Sequence, residues 1–123
     1  MEKRVLVFGT FDGIHPGHEF FLRSAKSRGT YLIVGVARDV HVEELKDRRP
    51  HIPEQKRLTA IQKLSTVDDA HLCDERLNSF QIVEYTHPDM IVLGHDQTDL
   101  EQALLSWMSE HDHYVPMVRV KKL

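Results

Sequence analysis

The sequence lacks several features that would place it in common protein classes. Its 123 residues include one cysteine, Cys73, which excludes an intramolecular disulfide and is typical of the reducing cytoplasm. No apolar run approaches the roughly 18 residues of a membrane span, and Met1–Arg4 does not resemble a signal peptide. The 16 Lys and Arg residues are outnumbered by 19 Asp and Glu residues, whereas nucleic-acid binders usually carry a basic excess. We therefore expect a cytoplasmic protein of one domain, residues 1–123, with no nucleic-acid or membrane partner.

The two common phosphate-binding loops are also missing. No segment ends in Gly-Lys-Ser/Thr as a P-loop does, and the glycines do not form the G-x-G-x-x-G pattern of dinucleotide sites. The sequence also offers no Ser-His-Asp or Cys-His arrangement for nucleophilic catalysis.

Apolar runs alternate with amphipathic stretches along the chain. The runs predict five strands: Val5–Phe8, Tyr31–Ala37, Ala70–Cys73, Met90–Leu93 and Val115–Val120. The amphipathic stretches predict four helices: Pro16–Ser27, Pro53–Leu64, Phe80–Tyr85 and Leu100–Glu110. This alternation predicts an α/β fold, a doubly wound five-stranded parallel sheet with helices on both faces. The longest irregular stretch, Arg38–Ile52, is either a solvated excursion or a lid over a ligand.

The first strand-to-helix junction, Gly9–His18, has the composition of an anion site. In open α/β sheets ligands bind beyond the carboxyl ends of the strands, where this junction is expected. Pro16 suits a first helical turn, and a helix N-terminus favours an anion such as phosphate. His15 and His18, three residues apart, can both donate to that anion and stabilise charge on a phosphate under attack. Two histidines at this spacing also resemble half of a metal site, although no third ligand is fixed by spacing.

The segment Gly9–His18 resembles the G-T-F-D-x-x-H-x-G-H signature of the cytidylyltransferase-like nucleotidyltransferases. The similarity continues over nearly the whole chain. It includes Val36-Ala37-Arg38-Asp39, the basic loop with Lys46 and Arg48, Ile52-Pro53-Glu54 with Arg57, and Val92-Leu93-Gly94-His95-Asp96-Gln97. The resemblance implies a Rossmann-like fold and a homodimer.

The resemblance also implies roles for individual residues. His15 and His18 would bind the triphosphate and stabilise the transition state, Lys46 would close onto the phosphates, and Arg57 would anchor the β- and γ-phosphates. The implied nucleotide-binding set is Gly9, Thr10, Phe11, His15, Pro16, Gly17, His18, Gly94 and Asp96. The implied acceptor-binding set is Asp12, Asp39, Lys46 and His95, with Asp12 alternatively serving to brace the turn.

In this family a phosphate oxygen of the acceptor attacks the α-phosphorus of a nucleoside triphosphate, and pyrophosphate leaves with the assistance of Mg²⁺. The chain is most similar to archaeal-type FAD synthases, which transfer AMP from ATP to FMN. Glycerol-3-phosphate cytidylyltransferases, which use CTP and glycerol 3-phosphate, carry an R-T-x-G-I-S-T-T segment near the C-terminus. The end of this chain, Pro116–Leu123, differs from that segment.

Two alternatives belong to other functional classes. One is a nucleotide-binding module without catalysis, because a fold can retain a phosphate site without the reaction. The other is a metal-binding protein that uses some of the nine histidines.

Overall fold

The computed structural model describes residues 2–121 of the chain. Within that range the elements follow one another as β1 (Arg4–Gly9), α1 (Pro16–Lys26), β2 (Tyr31–Val36), α2 (Asp39–Lys46), α3 (Glu54–Gln62), β3 (Asp69–Leu72), α4 (Gln81–Thr86), β4 (Met90–Leu93), α5 (Thr98–His111) and β5 (Met117–Arg119). No helix among these residues is long and apolar enough to cross a membrane.

The strands form one parallel sheet in the order β3-β2-β1-β4-β5. The central strand β1 pairs with β2 from Arg4↔Tyr31 to Gly9↔Val36 and with β4 at Val5↔Met90. The chain passes from β3 to β4 across two strands, so the strand order reverses between β1 and β4. Such a reversal opens a crevice at the carboxyl edge of the sheet, and the first strand-to-helix turn lies there. The predicted five-stranded, doubly wound sheet is confirmed.

Helices cover both faces of the sheet because alternate side chains of each strand point in opposite directions. On β1, Val5 and Val7 pack in a core with the α1 residue Leu22 and the α3 residue Ile61. Leu6 and its neighbour on the same face, Phe8, pack in a second core, whose α4 and α5 members are Ile82, Val83, Leu104, Trp107 and Met108.

The structure corrects the predicted irregular stretch Arg38–Ile52. Its first part is helix α2, which ends at Asp47 in the left-handed conformation with φ of 55°. Only His41 and Val42 of this helix are buried, so the sequence presents almost no periodic apolar stripe. The predicted strand Val115–Val120 is also shorter in the structure, where only Met117–Arg119 form β5.

Candidate active site

A cavity of about 1010 Å³ lies along the carboxyl edge of the sheet. Residues that follow all five strands line it, and the β1–α1 turn lies at its centre. Helix α2 and the segment after β3 contribute one side, while the β4–α5 turn and residues after β5 contribute the other. Because the order of the strands reverses between β1 and β4, this cavity occupies the position where open α/β sheets bind ligands.

The β1–α1 turn is shaped by Phe11, which folds back under its own backbone. Phe11 has a φ of 54°, and its ring is buried. A Cβ atom on Gly9 would lie only 2.6 Å from that ring, so the glycine makes the fold-back possible. The Phe11 ring meets the His18 ring edge to face, with centroids 5.3 Å apart. The turn therefore provides a packed support beneath His18.

His15 and His18 cap the first turn of α1 reciprocally. Nδ1 of His15 accepts from the N–H of Gly17 at 3.1 Å, and Nδ1 of His18 accepts from the N–H of His15 at 3.4 Å. The two rings stack with centroids 3.7 Å apart and an interplanar angle of 23°. A backbone N–H can only donate, so each neutral ring must carry its hydrogen on Nε2. In this tautomer Nε2–H is the donor of each ring, and both histidines line the cavity.

His18 is held in its neutral form. Burial lowers the pKa of His18 below its usual value, and the charges of His15 and Lys46 lower it further. A hydrogen bond to the Gly13 carbonyl opposes these effects only in part. The neutral ring keeps Nδ1 free to accept from the backbone while Nε2 donates.

The resemblance implied that Arg57 would bind phosphates, but Arg57 does not line the cavity. The residue is 1% exposed. Its Nε donates to the Ile52 carbonyl at 2.8 Å, and its Nη1 donates to the carbonyls of Thr10 and Ala37, each at 2.8 Å. Its Nη2 pairs with Asp39 Oδ1 at 2.6 Å. Arg57 therefore binds the ends of β1 and β2 to α2 and α3, and we do not retain the predicted phosphate contact.

The two carboxylates predicted to bind the acceptor also make structural contacts. Asp39 is occupied by Arg57 and by the N–H of Glu54, and it does not line the cavity. Asp12 accepts from the N–H groups of His51 and Ile52 at 2.9 and 2.8 Å. Desolvation alone would raise the pKa of Asp12, but these hydrogen bonds outweigh it and lower the pKa. Asp12 thus braces the turn, which was the alternative role inferred for it.

The β4–α5 turn is connected to β1 by Gln97, a residue that the predicted site did not include. Its Oε1 accepts from the Gly94 N–H at 2.8 Å, and its Nε2 donates to the Phe8 carbonyl at 2.9 Å. One side-chain amide therefore spans the point where the strand order reverses. This position was visible in the motif ending at Gln97, but its role depends on an amide that donates and accepts across two strands.

The remaining predicted residues lie around the cavity in more open positions. Its lining includes Gly9, Thr10, Phe11, Gly17, Lys46, Gly94, His95 and Asp96. Pro16 begins helix α1 beside His15. Lys46 and Arg48 are exposed on the rim, and no ion-pair partner for either occurs within residues 2–121. The structure therefore brings the histidine pair, the basic rim and the β4–α5 turn to one cavity.

A metal site is not formed by side chains alone in the described part of the chain, where no three His, Cys, Asp or Glu side chains cluster suitably. The stacked rings of His15 and His18 also have both Nδ1 atoms occupied by backbone N–H groups.

The family described as cytidylyltransferase-like matches residues 6–120. This chain belongs to that family. The match includes residues of all five strands and the β1–α1 and β4–α5 turns at the cavity. The nucleotidyltransferase resemblance of segment Gly9–His18 is thereby confirmed.

Similar proteins carry names that agree with this membership. A protein named FAD synthase from Ferroglobus placidus is 40% identical over 97% of this chain and 76% of its own length. Another FAD synthase, from Methanohalophilus mahii, is 39% identical over 97% of this chain and 82% of its own. A crystal structure described as the lipopolysaccharide core biosynthesis protein of Thermoplasma volcanium superposes with a TM-score of 0.88 at 35% identity. It covers 100% of this chain and 99% of that one.

Proposed function

We propose that this nucleotidyltransferase is an FMN adenylyltransferase, which transfers AMP from ATP to FMN and releases pyrophosphate. The observation that carries this proposal is the stacked pair His15 and His18, which lines the cavity of about 1010 Å³. Single small-molecule sites usually occupy about 300–1,000 Å³. The size of the cavity therefore supports two nucleotide-sized substrates, and the relatives named FAD synthase support FMN as the second.

The reaction needs positioning and charge stabilisation. A phosphate oxygen of FMN attacks the α-phosphorus of ATP, and a new P–O bond forms as the bond from the α-phosphorus to its bridging oxygen breaks. The bridging oxygen leaves with the electron pair as part of pyrophosphate. A phosphate monoester is already anionic near neutral pH, so no general base is required. The two Nε2–H groups donate to the oxygens on which negative charge accumulates, in a geometry fixed before the substrate arrives.

The cavity rim supplies positive charge for the triphosphate of ATP and the phosphate of FMN. Lys46 ends α2, and Arg48 follows it, both exposed beside the cavity. We assign Lys46 to the phosphates because it also faces the histidine pair closely enough to lower the pKa of His18. Arg57, in contrast, acts as a positioning residue through the carbonyls of Thr10 and Ala37.

A magnesium ion fits this chemistry. Mg²⁺ in phosphoryl-transfer sites is held by substrate phosphates and one or two carboxylates, and Asp96 is an exposed carboxylate on the cavity lining. When bound, Mg²⁺ would neutralise charge on the triphosphate. The homodimer implied by the resemblance and the cytoplasmic location predicted from the composition stay predictions.

The test is pyrophosphate release with Mg²⁺, crossing ATP and CTP with FMN and glycerol 3-phosphate. We expect release only with ATP and FMN, and a fall of about 10²–10³-fold in kcat for His18→Ala. His71→Ala is the matched control, because His71 lies on β3 outside the cavity lining. Release only with CTP and glycerol 3-phosphate would replace the proposal with a cytidylyltransferase. Binding of ATP without pyrophosphate in any combination would support a binding module instead.

A further inference from the structure

The cavity has an apolar floor that the reaction at the histidine pair does not use. We call Phe8, Cys73, Phe80 and Ile82 the apolar floor; all four line the cavity. Phe8 and Phe80 meet edge to face with ring centroids 6.0 Å apart. Burial raises the pKa of the Cys73 thiol to about 12, so the floor carries no charge at neutral pH.

Gly35 of β2 lies beneath the apolar floor, and its missing side chain lets the floor side chains approach the strand closely. A Cβ atom on Gly35 would lie 3.0 Å from Cδ1 of Phe8, 3.2 Å from Sγ of Cys73 and 3.2 Å from Cδ1 of Ile82. These three atoms converge over the β2 backbone without an intervening side chain. The part of the cavity that they line is apolar, as is usual where a protein binds the apolar part of a small molecule.

The segment over residues 73–80 is held in place before any ligand binds. His41, which is buried, places Nε2 2.9 Å from the Glu75 carbonyl. Arg38 donates from Nε to the Cys73 carbonyl at 2.7 Å. These contacts fix the segment to α2 at one end.

The other end of the segment is fixed by Asp74, which caps α4. Its carboxylate accepts from Ser79 Oγ at 2.6 Å and from the N–H groups of Gln81 and Ile82. Phe80 is in the left-handed conformation with a φ of 46°, which is unusual for a bulky residue and occurs most often at functional sites. This conformation accompanies the placement of the Phe80 ring in the floor.

Two leucines on the cavity lining lie outside the two apolar cores. Leu45 on α2 is 69% exposed, and Leu77 lies in the segment after β3. Both line the cavity, and neither belongs to the two apolar cores of the described residues. A ligand that covers the floor would also remove these side chains from water, which is favourable for an apolar ring.

We propose that the apolar floor, with Leu45 and Leu77 at its rim, receives the isoalloxazine ring of FMN and selects a flavin over glycerol 3-phosphate. This assignment rests on the proposed function and names the part of the cavity that recognises the acceptor. The dimethylbenzene half of the isoalloxazine ring is apolar and can cover the floor, whereas glycerol 3-phosphate has no apolar part to cover it. The adjacent Lys46 then lies on the same helix as Leu45, where it can meet the phosphate of the same acceptor.

The test is the double variant Leu45→Ser/Leu77→Ser, which leaves both apolar cores intact. We expect its KM for FMN to rise about tenfold or more, while its KM for ATP changes by less than about twofold. Riboflavin, which has the ring without the phosphate, should compete with FMN in the parent and compete about tenfold less well in the variant. The matched control is Leu105→Ser, since Leu105 is an exposed leucine of α5 outside the cavity lining.

An unchanged KM for FMN in the double variant, with AMP still transferred to FMN, would overturn the ring assignment and leave the proposed function standing. Equal increases in the KM values for ATP and FMN would also overturn it. Failure of the parent to use FMN at all would overturn the proposed function and the assignment together.

Discussion

Arg57 and the histidine pair both come from segments that the family motif marks, yet the fold uses them in opposite ways. Arg57 is 1% exposed, and its Nε, Nη1 and Nη2 all have partners among carbonyls and the Asp39 carboxylate. His15 and His18 line the open cavity, and their Nδ1 atoms accept from backbone N–H groups at the start of α1. The Arg57 guanidinium is fully paired within the fold, whereas the two histidines face the cavity.

In this site Arg57 stabilises the fold, whereas the two histidines are placed to contact a substrate. A buried guanidinium is tolerated only when its donors are paired, so Arg57 stabilises the cavity edge and loses any contact with substrate. Each histidine of the pair is oriented by one backbone N–H at Nδ1, and its Nε2 is the atom left for a donor role. We therefore expect changes at Arg57 to act on stability and changes at the pair to act on turnover.

The largest expected effect is that of Arg57→Leu on folding. The variant leaves the carbonyls of Thr10, Ala37 and Ile52 without a donor and the Asp39 carboxylate without its cation. We expect the free energy of unfolding to fall by about 3–5 kcal/mol, as when a buried ion pair is broken. Urea denaturation followed by circular dichroism measures this change.

The control for Arg57 is Arg23→Leu, an exposed position on α1, where a change of less than about 0.5 kcal/mol is expected. An Arg57→Leu protein of parental stability with little activity would restore the phosphate contact predicted from the sequence. It would also mean that Arg57 acts on turnover, as the histidine pair is expected to do.

The sequence predicted the layout of the fold because apolar runs and amphipathic stretches alternate clearly. It also predicted that Gly9–His18 forms a strand-to-helix turn at a ligand site, and this turn lines the cavity. The chemistry assigned to its two histidines stays a prediction. It did not predict that the Arg57 side chain points to backbone carbonyls and not into the cavity. A long side chain at the start of α3 can reach either a phosphate or the carbonyls of neighbouring strands, and only tertiary packing decides which.

Helix α2 and Gln97 were missed for different physical reasons. Helix α2 buries only His41 and Val42, so it lacks the periodic stripe by which helices are recognised. Gln97 functions by joining Gly94 to Phe8, two residues that are distant in sequence and adjacent only in the folded sheet. Neither feature leaves a local pattern.

The next largest effect is expected at His15. Its serine and alanine variants separate the capping role of the side chain from its catalytic role. Serine is a good N-cap and keeps an acceptor for the first turn of α1, whereas alanine does not. We expect both His15→Ser and His15→Ala to lower kcat about 10²–10³-fold, because each removes one donor to the transition state. Only the alanine variant should also lose about 1 kcal/mol of stability. Retained activity in His15→Ser would show that the cap matters and the imidazole does not.

The smallest effect is the pH dependence of stability contributed by His18. Its pKa in the folded protein lies below its usual value of 6.5, so between those two pKa values the unfolded chain binds more protons than the folded one. Stability therefore rises with pH through this window and is lost as the pH falls through 6.5 towards the folded pKa. The pKa values of Asp12 and Asp68 are lowered from 3.8, so these groups change the free energy of unfolding only at lower pH and not in the window of His18.

Urea denaturation at several pH values above about 5 should show this slope in the parent and a reduced slope in His18→Gln, which retains a capping acceptor. An equal slope in both proteins would mean that His18 is not held neutral, and the fixed Nε2–H donor inferred from the cap would have to be abandoned.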